Sequence, residues 1–240
     1  MSRSAVQFST SVFSVDVTRL GPHCNPVPCV LTGRNKSITL IGRDEVISGE
    51  ILLIRPGVEH TVICSGGINV MYLDGLQWSG DGRLAERLQG RLANLAIDAI
   101  FQGSDAQAAL RQRLVSGATQ FPPQLVAVIE DLISEPMSRM TQRELSHRLQ
   151  VERTKALRMF KAATGQTFRG FKQWSGLQHA ARKIASGELV RTAAMDGGFA
   201  DTAHLTRTFR TSFGLTPSEA IAGLAKASPT LSPSSLQTPR

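Results

Sequence analysis

The chain has 240 residues, 27 Lys/Arg against 19 Asp/Glu, a formal net charge of +8 and three cysteines. That length accommodates two small domains, each with a core of its own. Cys24, Cys29 and Cys64 are too few for a secreted disulfide framework, no apolar run approaches the ~20 residues of a membrane span, and the start, MSRSAVQFSTS, lacks the apolar core of a signal peptide, so a cytoplasmic setting is expected.

From residue 8 to about residue 73 the hydrophobic period is two, and strands are predicted at 13–17, 37–42, 50–56, 60–64 and 68–73. Gly33, Gly42, Gly49, Pro56-Gly57, Gly66-Gly67 and Gly75 punctuate them as turns. Short strands with such turns suggest a small antiparallel barrel or sandwich. The loop from Cys24 to Cys29 reads as a turn rather than as half of a metal site. From 81 the period becomes helical: Leu84, Leu88, Leu92, Leu95 and Ala99 form one stripe, and a second helix is predicted over 105–114 after Gly103. Phe121-Pro122-Pro123 marks a linker, and residues 125–133 read as a helix that Glu135-Pro136 ends. The tail from 225 to 240 is rich in Ser, Pro and Thr and is expected to be disordered.

Between these lies an internal repeat. Residues 141–165 and 190–214 each read as a short amphipathic helix, a brief turn and a second helix. Arg158 and Phe160 precede Gly165 in the first copy as Arg207 and Phe209 precede Gly214 in the second, at the same intervals. Thr141 with Glu144, and Thr216 with Glu219, form capping boxes. Thr167 opens a long helix that runs to about Ser186, and Asp201 caps the last helix of the second copy. Gly176 sits inside the long helix, where a Gly costs about 1 kcal/mol relative to Ala.

The charge is concentrated here. Residues 139–220 hold 14 Lys/Arg and 6 Asp/Glu, a difference of +8, and the rest of the chain holds 13 of each. A module that meets phosphate requires this distribution, and a solvated basic face is the plainer alternative.

The run GGFADTAHLTRTFRTSFGLTPSEA, from Gly197, resembles the signature of the AraC/XylS family of transcription regulators, and RMFKAATG, from Arg158, resembles the family's first recognition helix. The resemblance implies two helix–turn–helix units whose second helices enter successive major grooves of double-stranded DNA. By the same resemblance Arg153, Thr154, Leu157 and Arg158, then Thr202, Ala203, Thr206 and Arg207, are the positions that meet DNA. Arg can hold guanine through two hydrogen bonds, and Leu or a Thr methyl can touch a thymine methyl. Lys155, Lys161 and Arg210 are assigned to phosphates, which position the protein without specifying sequence.

Residues 49–67 more faintly resemble the strand–turn–His–strand element of cupin-type sensor domains. A metal-binding cupin enzyme fused to a DNA module is therefore the alternative, but only His23 and His60 lie in this half, short of a ligand set, and no nucleophile–base pair is visible. No catalytic residue, metal or cofactor is assigned.

The expected fold class is α+β: a small antiparallel, cupin-like β-barrel over 1–80, a helical connector over 81–120 that can dimerise the chain, an all-α double helix–turn–helix domain over 121–224, and the tail. The expected function is sequence-specific regulation of transcription in a bacterial cytoplasm. A small-molecule effector or a regulatory protein would act on the β region, and no membrane partner is expected.

Overall fold

The computed structural model describes residue 8 and residues 10–34, 37–78, 82–114, 121–135 and 137–226. Its strands are β1 (Thr10–Val15), β2 (Arg19–His23), β3 (Cys29–Gly33), β4 (Ile38–Ile41), β5 (Val46–Gly49), β6 (Ile51–Ile54), β7 (His60–Ile63), β8 (Ile68–Leu73) and β9 (Ala85–Arg87). The helices follow: α1 (Gly90–Phe101), α2 (Ser104–Leu114), α3 (Pro123–Ser134), α4 (Gln142–Leu149), α5 (Arg153–Thr164), α6 (Phe168–Ala185), α7 (Val190–Asp196), α8 (Thr202–Phe213) and α9 (Pro217–Lys226). The class is α+β, with an antiparallel β region followed by a helical one.

The strands form two antiparallel sheets, ordered β1-β8-β3-β6-β9 and β2-β7-β4-β5. Among the described residues they do not close into the expected barrel; they form an open sandwich whose core takes Leu31, Leu52 and Ile68 from one sheet and Leu40, Ile47 and Val62 from the other. The five-stranded sheet is buried on both faces. Its second face, with Val30, Leu53 and Met71, packs on Ala96, Ala99 and Ile100 of α1 and Leu110 of α2. Hence β6 and β8 read as continuous apolar runs, whereas β4 and β7 in the other sheet alternate buried and solvent-facing positions.

Several expectations are corrected. The strand predicted at 13–17 is β1, starting three residues earlier, and β2 (RLGPH) and β3 were hidden by Gly, Pro and Cys that read as turn. The Leu stripe predicted as one helix from Leu84 is broken: Ala85–Arg87 pair with β6, and the helix starts only at Gly90, which has φ +54°. Pairing with the open edge of β6 outweighs the helical pattern of these residues. α9 extends to Lys226, into the segment expected to be disordered. Residues 115–120 of the expected connector, Pro136 and the tail from 227 lie outside the described residues.

α6 spans two cores. Phe168 and Phe171 near its start pack with Leu145, Leu149 and Phe160 of the first repeat and Leu125, Ile129 and Leu132 of α3. Trp174, Leu177 and Ile184 further along pack in the sandwich core, together with Leu205, Phe209 and Phe213 of the second repeat. Gly176 sits where α6 meets the turn after α7. A Cβ there would overlap the carbonyl oxygen of Gly197, so close approach, not flexibility, is the reason for this Gly.

Candidate nucleic-acid interface

Each repeat builds a helix–turn–helix. In the first, Thr141 Oγ1 accepts from Glu144 N at 3.1 Å and Glu144 Oε2 accepts from Thr141 N at 3.3 Å, completing the capping box of α4. α4 ends on Gln150 with φ +52°, and α5 begins three residues later. In the second, Asp201 Oδ1 accepts from His204 N at 2.6 Å, which caps α8. Both second helices have 12 residues, and both end on a left-handed glycine, Gly165 at φ +75° and Gly214 at φ +77°. Thr167 caps α6 through Gly170 N at 3.1 Å, and Thr216 with Glu219 caps α9.

The apolar stripes of the two helices face inward. Ala156 and Phe160 of α5, and Leu205 and Phe209 of α8, are buried. Arg153, Thr154, Lys155, Arg158 and Lys161 are exposed on α5, as are Thr202, Ala203, Arg207 and Arg210 on α8. Two positions differ from the expected fully exposed face. Leu157 is half-buried and packs against the first-repeat core. Thr206 is half-buried, and its hydroxyl donates to Thr202 O at 2.8 Å. The outward faces therefore combine Arg and Lys with small methyl-bearing groups, which can pair with phosphates and base edges. Glu152 precedes α5 and makes no side-chain cap bond.

The β region touches both units from behind. At α8, Gly21 N donates to Gly214 O at 2.7 Å, Cys24 N to Thr211 O at 2.9 Å and Asn25 Nδ2 to Ser212 O at 2.7 Å. At α5, Gln77 Nε2 donates to Ala162 O at 3.3 Å. Along α6, buried Asp74, just past β8, accepts from Trp174 Nε1 at 2.6 Å and from Gln178 Nε2 at 2.9 Å. Burial raises its carboxyl pKa, and these bonds with Arg111 and Arg182 nearby oppose that rise. No sequence signal marked these contacts, because their partners lie far apart in the chain.

An apolar cavity lies at the same seam. It is bounded by β1, β8, α6, α8 and α9 and holds about 540 Å³ of empty space counted out to its open mouth. Beside the seam the rings of His23 and His60 meet at a tilt of 54° with centroids 4.4 Å apart, each Nδ1 at 2.9 Å from a backbone oxygen, Gly21 O and Val58 O. Among the described residues no group of three or more His, Cys, Asp or Glu can hold a metal ion, and no helix is long and apolar enough to cross a membrane.

Comparison with known proteins bears on this architecture. A family profile described as a helix-turn-helix domain matches residues 145–222. A search of curated protein sequences finds no match. Among solved structures, an apo variant of ToxT from Vibrio cholerae is similar over 92% of this chain and 100% of its own, with TM-score 0.60 and 12% identity. Unsaturated-fatty-acid-bound ToxT from Vibrio cholerae is similar over 92% and 97%, with TM-score 0.58 and 12% identity. ToxT from the same organism bound to (E)-4-(8-methylnaphthalen-1-yl)but-3-enoic acid covers 90% and 100%, with TM-score 0.60 and 10% identity. These likenesses extend the shared fold through the β region as well as the helical one. With their doubled motif and basic outward faces, residues 145–222 are a helix–turn–helix domain, and the chain shares its fold with ToxT through the β region as well.

Proposed function

We propose that this chain is a DNA-binding transcription regulator of the AraC type, which reads double-stranded DNA by placing α5 and α8 in two successive major grooves, roughly 34 Å apart on one face of the duplex. The observation that carries the reading is the repeated geometry: two 12-residue helices, each with buried apolar and exposed basic faces. Arg153, Arg158 and Arg207 read base edges, with Thr154, Leu157, Thr202, Ala203 and Thr206 supplying methyl and hydroxyl contacts. Lys155, Lys161 and Arg210 hold phosphates. The half-buried Leu157 offers only its outer edge, so it contributes less than the arginines.

Control enters through the β region. Its hydrogen bonds to the last turn of α8 and the cavity beside it support a small-molecule effector over a protein partner, because a ligand there would press directly on α8. The ToxT structures that hold an unsaturated fatty acid and a naphthalenyl butenoic acid support the same reading. α1 carries Phe101, 51% exposed, and is the candidate face for a homodimer. The reading is of a cytoplasmic, non-enzymatic protein.

The test is selection of bound DNA from a random duplex pool at near-physiological salt. The expected result is a two-part motif whose halves are about one helical turn apart. A single half-site would overturn bipartite reading, and no enrichment with or without ligand would overturn specific reading altogether.

A further inference from the structure

We propose that the cavity between β1, β8, α6, α8 and α9 binds a neutral, apolar small molecule and discriminates against its carboxylate counterpart. The inference rests on the effector reading above and names the ligand class.

The wall is almost wholly hydrocarbon. Phe13 and Val70 come from the five-stranded sheet, Ile184 from α6, Phe213 from α8 and Leu224 from α9. Among the described residues that line it, none carries a charge, and the only side-chain polar groups are the hydroxyls of Ser14 and Tyr72. Ser14 Oγ is already donating to Asn69 Oδ1 at 2.6 Å. Burial raises the Tyr72 phenol well above its ordinary pKa, which keeps it neutral.

The neighbouring cations on α6 are committed elsewhere. Arg182 follows the lining residue Ala181 but donates to Ser11 Oγ at 2.9 Å and stands near Asp74. Lys183 precedes the lining residue Ile184 but binds Glu188 at 2.8 Å and Asp196 at 2.9 Å. A carboxylate drawn into this space would lose its water and, among the described lining residues, meet no cation and at most the hydroxyls of Ser14 and Tyr72, which is unfavourable. A neutral apolar molecule only gains by leaving water.

The location gives the ligand a route to DNA. Phe209 and Phe213 line the cavity from the buried face of α8, whose exposed face presents Thr202, Ala203 and Arg207. A bound molecule adds contacts on both sides of the seam, and so favours the arrangement in which sandwich and α8 are docked.

The test uses the full chain and a neutral environment-sensitive dye, N-phenyl-1-naphthylamine, whose fluorescence rises in apolar surroundings. Saturable binding is expected, with dodecanol displacing the dye at a concentration at least about tenfold lower than dodecanoate does at neutral pH. Ala181→Phe fills the cavity and Ala185→Trp narrows it from an exposed position, and either is expected to weaken dye binding at least about tenfold. The second variant keeps the test decisive if the first misfolds. Non-saturable dye binding, dodecanoate displacing as well as dodecanol, or an unaltered Ala185→Trp variant would each overturn the proposal. DNA is absent from the assay, so its outcome is independent of whether the chain selects a DNA motif.

Discussion

The amide of Gly21 in β2 donates to the carbonyl of Gly214 at 2.7 Å, so a sandwich strand closes the C-terminal end of α8. The last carbonyls of a helix have no partner within it. Here Thr211, Ser212 and Gly214 find theirs in Cys24, Asn25 and Gly21. Around them the rings of Phe13, Tyr72, Trp174 and Phe213 pack with centroids 5.0 to 6.4 Å apart. The second DNA-binding unit is thus continuous with the β region, while the first keeps its own core.

Asn25→Ala tests this seam. The side chain is 2% exposed, and its loss strands the Ser212 carbonyl. The expected cost is about 1–2 kcal/mol in urea unfolding, with faster hydrogen exchange at the Gly21 and Cys24 amides. Unaltered exchange at those amides would show that the seam does not depend on Asn25.

Gly176→Ala separates local preference from packing. Helix propensity alone makes it stabilising by about 1 kcal/mol. The added Cβ would overlap the Gly197 carbonyl, backbone that cannot yield unless α7 moves. A net loss of about 1–3 kcal/mol is expected in urea unfolding. A gain instead would mean that α6 and the turn after α7 part easily.

Arg158→Ala and Arg207→Ala are each expected to weaken specific DNA binding by about 1–3 kcal/mol while leaving random-sequence binding nearly intact. Lys161→Ala and Arg210→Ala are expected to weaken both alike and to flatten the salt dependence by about one unit of slope each. Fluorescence anisotropy on the selected motif and a scrambled duplex, at several salt concentrations, distinguishes the two roles.

Asp74→Ala removes the acceptor of Trp174 Nε1 and Gln178 Nε2. Both donors are left in a buried site, so a loss of about 2–4 kcal/mol is expected. A changed Trp174 emission at low denaturant would report that α6 has loosened from the sandwich, and unchanged emission with unchanged stability would refute the tie.

His23 gives stability a pH dependence. Burial, then the neighbouring His60, pushes its pKa down from 6.5 to about 4, and burial also lowers that of His60. Between those two values the unfolded chain binds the proton and the folded chain does not. The contribution is therefore complete above pH 6.5 and is lost as pH falls toward 4, by up to about 3 kcal/mol for His23. Asp74, with its raised pKa, acts in the opposite sense, so the comparison is made with His23→Phe, which retains Asp74. Urea titrations from pH 7 to 4 are expected to show a shallower fall in the variant.

Much of the helical half was legible from short-range signals. The capping boxes at Thr141 and Thr216, the Asp201 cap and the two terminal glycines act within one turn, and the repeat doubled each of them. In the β half, the apolar runs of β6 and β8 were plain, but β2 was not, because its Gly and Pro read as a turn. β9 carried a helical stripe, and only the open edge of β6 made it a strand. By itself the sequence determined the doubled helix–turn–helix, its basic outward faces and a β region ahead of it, since caps, periodicity and charge are properties of neighbouring residues. The tertiary structure alone decided that the β region forms an open two-sheet sandwich, that Gly176 is a contact point and that β2 completes α8. Those outcomes depend on backbone groups such as Gly21 and Gly214 meeting across the fold, and no local pattern encodes such a meeting.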